Sequence, residues 1–519
     1  MSLETIDGEQ CENKQSLRVK SLVTQPKSGC PSKTVKILNF SQSDVVFMSS
    51  NTSNRRDSNL FVSEASRELT EEYLLNRLKA ARSNVLEGNV SPTINMAEFR
   101  DELASKDFQQ PEALESVLEW TISSMENGLV HMTHPRYFGL FNPSPTFPAI
   151  CADYIAAEFN PQVCVWSHAP VAVEIENHVI KQLAERVGFS SNAGGHFTSG
   201  GAEANNTAVV CALTSSNDEF ANKGARAFVG QPRIYVSKES HLAWYKIAHQ
   251  LGIGRDSVRL IGTDGNGRMD SSKLEQKVRQ DMDQGDVPVL IGATAGTTNA
   301  GVVDSLNEAA DIANTFDLWF HVDAAWGGAL IASQEYIHVL KGIERADSVT
   351  IDAHKWFATT MGAGIFLTQH KSVLSKAFAV STDYMPSNDS AVDLYVNSIQ
   401  WSRRFVGLRL FLSLCVAGWQ GYAQHVEHGI SMIDRLADAL IAQGWTLCNQ
   451  SRMAVACLVP PEKSVSIQKL VERVVSAGSS WVSVTRFEDQ EVIRVCATNG
   501  KLSEADVDQL VTDLMKHSI

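Results

Sequence analysis

The stretch Ser348-Val349-Thr350-Ile351-Asp352-Ala353-His354-Lys355-Trp356 decides how this chain is read. Its first four residues suit a strand, because three of them, Val349, Thr350 and Ile351, carry the β-branched chains that fit a pleated surface. The run that follows puts a lysine at the mouth of that strand, directly after a histidine. Alone, such a lysine reads as a surface residue in a salt bridge. Upstream, however, His321-Val322-Asp323-Ala324-Ala325-Trp326-Gly327-Gly328 places an aspartate after another strand-like run, Leu318 to Val322. Asp323 and Lys355 lie 32 residues apart, about one strand–helix–strand unit. An amine that bonds an aldehyde and a carboxylate that keeps a ring nitrogen protonated are what pyridoxal 5'-phosphate requires of a protein.

Further strand-like runs, Arg233 to Val236 and Pro288 to Ala293, alternate with helical patterns such as Val171 to Val187. Strands alternating with helices predict an α/β fold of parallel units, with functional residues at the strands' carboxyl ends. Four regions are expected. Residues 1–65 are rich in Ser, Asn, Lys and Gln and read as a disordered extension, or as an arm docking on a partner subunit. Residues 66–149 are helical, with Leu74, Leu75, Leu78 and Ala81, then Leu114, Val117, Leu118 and Ile122, near a 3.6-residue period. Residues 150–415 form the large domain. Residues 416–519 form a smaller α+β domain ending in a helix from Glu504 to His517.

A chain of 519 residues can bury a core large enough for more than one lobe. Its formal charge of −14 argues against nucleic acid or an anionic membrane as partner. Nine cysteines, none in C-x-x-C spacing, argue against a disulfide framework or a zinc site and for a reducing compartment. No metal is expected. The first ten residues have no apolar signal region, and no apolar run approaches the roughly 18 residues of a membrane span. A cytoplasmic location is the expectation.

In order along the chain stand Thr133-His134-Pro135-Arg136-Tyr137-Phe138, Thr198-Ser199-Gly200-Gly201-Ala202-Glu203-Ala204-Asn205, Ser237 to His241, Gly296-Thr297-Thr298, the aspartate and lysine strings, and Trp401-Ser402-Arg403-Arg404-Phe405. With these landmarks the sequence resembles the group II pyridoxal-phosphate decarboxylases from roughly Glu71 to the C-terminus. That family includes the aromatic amino acid, glutamate and cysteine-sulfinate decarboxylases. The resemblance implies pyridoxal-phosphate fold type I, similar to aspartate aminotransferase, and a homodimer with its active site at the subunit interface. It also implies that residues 66–149 pack on the partner subunit.

It further implies a set of roles. Lys355 bonds the cofactor aldehyde, Asp323 faces the ring nitrogen, His241 stacks on one ring face, and Ala325 leaves room at the other. Gly200, Gly201 and Ala202, before a helix beginning near Glu203, present backbone N–H groups to the phosphate, with His354 nearby. Many relatives carry Asn where this chain has Asp352, and a carboxylate beside a phosphate is repulsive, so Asp352 receives no phosphate role. Thr298 lies near the cofactor and the substrate carboxylate. Arg494 offers a planar fork to a substrate carboxylate, though a strand-surface salt bridge is an alternative. Phe141 and Trp166 are candidates for the substrate pocket. Tyr384, in a loop-like stretch, matches a proton-donating tyrosine of a mobile lid.

The expected function is therefore decarboxylation of an L-amino acid to its amine and carbon dioxide. The alternatives on the same scaffold are an aldehyde synthase, a carbon–carbon lyase, or a cofactor-bound subunit without turnover.

Overall fold

The computed structural model describes residues 60–380 and 393–519, apart from Arg452 and Lys463. Most of the expected extension thus lies outside the described residues, but α1 (Glu64–Glu87) already begins inside the stretch assigned to it. Ser63 caps that helix by accepting a hydrogen bond from the Ser66 amide. α2 (Met96–Ser105), α3 (Leu114–Gly128) and α4 (Phe147–Phe159) follow.

α5 (Pro170–Val187) shows how sequence sets a helix here. Pro170 supplies a pre-set φ at the first turn, and Gly188 ends the helix in the left-handed region at φ 95°. Its buried stripe is Ala172, Val173, Glu176, Val179, Ile180, Leu183, Ala184 and Val187, the spacing of a single helix face. Glu176 is the one charged residue in that stripe.

Seven strands form the large sheet: β1 (Gly194–Thr198), β2 (Pro232–Ser237), β3 (Val258–Ile261), β4 (Val287–Thr294), β5 (Trp319–Asp323), β6 (Ser348–Asp352) and β7 (Gly364–Thr368). Their order is β1-β7-β6-β5-β4-β2-β3. The strands from β2 to β6 pair in parallel, while β7 runs antiparallel to both neighbours. The expected parallel sheet is therefore mixed at one place. The reason is the short loop 353–363, which carries His354 and Lys355 and returns the chain as a hairpin instead of through a crossover helix. β5, β6 and β7 are buried along their whole length, with helices covering the sheet.

α6 (Gly201–Ser216) starts directly after β1, at the edge where β4, β5 and β6 end. A side chain on Gly364 would sit 2.4 Å from Thr198 Oγ1 and 2.6 Å from the Gly200 backbone, so a glycine is needed where β7 begins.

The helix Gly407–Ile441 breaks at Gly418, whose φ of 63° and ψ of 178° are not helical, close to the expected domain boundary. Beyond it, an antiparallel sheet of β8 (Thr446–Leu447), β9 (Val455–Val459), β10 (Ser483–Phe487) and β11 (Gln490–Cys496) takes the order β10-β11-β9-β8. The terminal helix spans Glu504–His517, as its sequence predicts, and opens with a capping box between Ser503 and Asp506.

Candidate active site

Three strands bring their last residues together. Thr294 of β4 pairs with Asp323 of β5, and Asp323 pairs with Thr350 of β6, two residues before Asp352. The loop after β6 then turns Lys355 back, so that Lys355 Nζ lies 3.0 Å from Asp352 Oδ2. The resulting cleft is lined by Gly201, Ala202, Asn205, His241, Thr294, Gly296, Thr298, Asp323, Ala325, Asp352 and Lys355. Seven of these are positions singled out from the sequence. Among the described residues, the larger cleft against α1, α2 and α3 is lined by no lysine, and that between α4 and the helix Gly407–Ile441 by no carboxylate.

Asp323 is buried and accepts two hydrogen bonds. Asn205 Nδ2 donates to Oδ2 at 2.8 Å, and the Ala325 amide donates to Oδ1 at 3.1 Å. His241 stays exposed, its ring oriented by the Ala243 amide donating to Nδ1 at 3.1 Å. At the N-terminus of α6, Glu203 Oε2 accepts from the Ser199 amide and hydroxyl at 2.8 and 2.6 Å. A side chain on Gly201 would come within 3.0 Å of Asp352 Oδ2 and 3.3 Å of Ala325 Cβ. One on Gly200 would meet His354 Cε1 at 3.6 Å. His354 is fixed by the backbone of Ala363, whose carbonyl lies 3.0 Å from Nδ1.

Behind Lys355 stands an aromatic stack. Trp356 and Trp326 lie face to face with centroids 4.4 Å apart, and Phe141 stacks on Trp326 at 4.0 Å. Lys355 Nζ is 5.9 Å from the Phe141 ring and the Arg494 guanidinium is 4.6 Å from it. Arg494, on β11, donates from Nε to the Thr298 carbonyl at 2.8 Å and from Nη1 to the Gly139 carbonyl. Its Nη2 is buried with no partner among the described residues, so its two N–H donors remain to be used. Arg494 is thus a buried group joining β11 to the segments at Gly139 and Thr298, not the strand-surface residue of the alternative reading.

Two of the expected positions are not found in this cleft among the described residues. Trp166 lies outside the cleft within the chain. Its ring packs in another cluster, with Val173, Leu394, Phe405 and Leu408, and its indole donates to Glu174. An aromatic residue just before a helix is recruited by whichever apolar face is nearest, and here that face belongs to α5. Tyr384 lies outside the described residues. Sequence reasoning also passed over two groups. Asn205 sits one helical turn after Gly201 and so faces the same way, which is a legible signal. Asp352 was set aside for its charge, yet it is buried and ion-paired to Lys355, with Oδ1 unpartnered among the described residues.

A lysine and an aspartate closing one cleft at the carboxyl ends of adjacent strands, beside a glycine-opened helix N-terminus, define a cofactor-binding α/β enzyme of the lysine–carboxylate type. The comparisons agree. The family model described as the pyridoxal-dependent decarboxylase conserved domain matches residues 97–458. An aromatic-L-amino-acid decarboxylase of Bacillus atrophaeus is 30% identical over 81% of this chain and 89% of its own length. The cysteine sulfinic acid decarboxylase of Mus musculus is 29% identical over 79% and 90%, and a 4-hydroxyphenylacetaldehyde synthase of Rhodiola rosea 26% identical over 81% and 88%. Among solved structures, mouse CSAD superposes with a TM-score of 0.80 at 28% identity, over 87% of this chain and 99% of that one. The chain belongs to the pyridoxal-dependent decarboxylase family, and with it to the carboxy-lyases that use pyridoxal phosphate. The cleft suits that cofactor: Gly201 leaves a cradle a side chain would fill, and Lys355 and Asp323 face one space.

Proposed function

We propose that this enzyme removes the α-carboxylate of an L-amino acid and releases the corresponding amine and carbon dioxide. The observation that carries the proposal is the meeting of Lys355, Asp323 and exposed His241 in one cleft beneath the α6 N-terminus. Bound there, pyridoxal phosphate supplies an aldehyde for amines and an electron-accepting ring. Lys355 would hold the aldehyde until substrate displaces it, and Asp323 would keep the ring nitrogen protonated. His241 would cover one ring face, with Ala325 and Thr298 beside the ring. Gly200, Gly201 and Ala202, with His354, would bind the phosphate through backbone N–H groups and the helix dipole. Arg494 would hold a substrate carboxylate with its free Nη2, against the Phe141 ring. Tyr384 would return the proton that completes the amine. The aldehyde synthase among the relatives keeps carbonyl formation as the second reading.

We further propose that the enzyme is a homodimer whose N-terminal helices pack on the partner. α1 buries only Thr70, while Leu69, Leu75, Leu78 and Leu86 are exposed, and a helix gains most of its stability from packing an apolar face. Sedimentation of the purified protein as a monomer at micromolar concentration would remove this support.

Activity is tested by incubating the holoenzyme with a broad amino-acid panel and measuring carbon dioxide and amine together. The expected result is equimolar release from at least one substrate. No carbon dioxide from the twenty common amino acids, cysteine sulfinate or diaminobutyrate overturns the proposal. Carbonyl product with peroxide favours the second reading.

A further inference from the structure

The Asp323 carboxylate ends a line of side chains that runs back through the sheet. Trp319 Nε1 donates to Ser348 Oγ at 2.8 Å, and Ser348 Oγ lies 2.8 Å from His321 Nδ1. His321 Nε2 lies 3.1 Å from Asn205 Oδ1, and Asn205 Nδ2 lies 2.8 Å from Asp323 Oδ2. Asn205, His321 and Ser348 are at most 2% exposed, and Trp319 is 7% exposed. The line joins two strands and a helix, since Trp319 and His321 sit on β5, Ser348 on β6 and Asn205 on α6.

Chemistry allows this line one arrangement of hydrogens. An ionised carboxylate accepts only, so the Asn205 amide nitrogen faces Asp323 and its oxygen faces His321. The His321 nitrogen nearest that oxygen must then carry the hydrogen. Burial pushes the His321 imidazole down to about 4, so the ring is neutral and Nδ1 is bare. Ser348 therefore gives its hydroxyl hydrogen to Nδ1, and its oxygen is left to accept from the Trp319 indole, which can only donate. Thr350 Oγ1, 3.4 Å from His321 Nε2, is a weaker second partner for the same hydrogen. Trp244 packs edge-on against the imidazole, with centroids 5.9 Å apart, and holds its plane. Every donor points toward Asp323, and aligned hydrogen bonds polarise one another in a dry interior.

We propose that Asn205, His321 and Ser348 are positioning residues that fix the orientation and charge of Asp323 toward the cofactor's ring nitrogen. This rests on the role given to Asp323 above. A line of neutral donors suits the task, because it holds the carboxylate without cancelling the charge that the ring nitrogen needs. A structural line would stabilise the fold and leave the ring nitrogen indifferent to its loss.

The test uses holoenzyme carrying cofactor labelled with nitrogen-15 in the ring, and free protein labelled with nitrogen-15 in its histidines. In the free protein, His321 should show a protonated Nε2 and a bare Nδ1. Asn205→Ala should shift the ring-nitrogen resonance toward that of an unprotonated pyridine and lower kcat about tenfold at little changed KM. Ser348→Ala, two links further back and nearly isosteric, should shift it in the same direction by less, and it serves where Asn205→Ala folds poorly. An unmoved resonance in both variants, with only a lower melting temperature, overturns the inference. Asp323→Asn separates the two readings. If it also leaves the resonance unmoved, the role of Asp323 itself fails. If it moves the resonance while the other two do not, only the positioning line fails.

Discussion

Glu176 and Asp323 are both buried carboxylates, yet the chain surrounds them in opposite ways. Glu176, on the buried stripe of α5, meets a full positive charge: Arg403 Nη2 lies 2.5 Å from Oε2, and the Gly407 amide donates to Oε1 at 3.0 Å. Burial pushes its carboxyl up, against the pull of Arg403 and of that amide. Among the described residues, the hydrogen-bond donors to Asp323 are both neutral, Asn205 and the Ala325 amide. The first arrangement cancels a charge where it stands and ties α5 to the chain entering the helix Gly407–Ile441. The second holds a charge in place and leaves it available at the cleft. Asp352 stands between the two cases, being paired with Lys355 but open to the cleft.

Lys355→Ala should produce the largest effect, because no other lysine lines the cleft. Borohydride treatment should then leave no cofactor on the protein, and turnover should fall below detection. A mass spectrum still showing cofactor fixed to this variant would show that Lys355 is not the attachment point. Arg403→Ala should cost about 3–5 kcal/mol of stability, the usual result of stripping a buried ion pair of one partner. The sign with pH follows from Glu176. Its folded carboxyl is raised, so the folded state holds the proton more tightly and the charged form is what becomes costly as pH rises. The loss should therefore be larger at pH 8 than at pH 5 in denaturant titrations, and equal losses would mean that Glu176 is not the uncompensated charge.

Asp323→Asn should reverse that pattern, with the melting temperature nearly kept and about 3 kcal/mol of transition-state stabilisation lost, on the order of a hundredfold in kcat. Wild-type kcat would erase the contrast between the two carboxylates. The last effect is absent at neutral pH and confined to acid, and it belongs to His196, buried on β1 with neither ring nitrogen partnered among the described residues. Burial pushes it down to about 3. The unfolded chain therefore binds the extra proton first, and folded stability is lost as pH falls from about 6.5 toward 3, by roughly 1.4 kcal/mol per unit. His196→Leu should flatten that part of the acid unfolding curve. An unchanged slope would place the acid sensitivity elsewhere, with His321 and His425, also pushed down to about 4, the next to examine.

Much of the site was legible because its residues travel with local structure. Lys355, Asp323 and the Gly200-Gly201-Ala202 turn each sit where a strand or helix begins or ends, and such junctions are written in periodicity and in small residues. The α5, β2, β5 and β6 segments fall within a residue or two of their sequence reading for the same reason. What the sequence left open concerns pairing across distance. The reversal of β7, allowed by the short loop 353–363, is fixed by its pairing with β6 on one side and β1 on the other, and Trp166 was captured by the α5 face because that face is nearest in space. The buried pairing of Glu176 with Arg403 spans 227 residues, and the line from Trp319 to Asp323 draws on three separate segments. Local order follows from each residue's own backbone and side-chain preferences. Partners of buried polar groups are chosen only when the sheet and its covering helices have closed, since burial makes an unpaired group costly and selects among the few that can reach it.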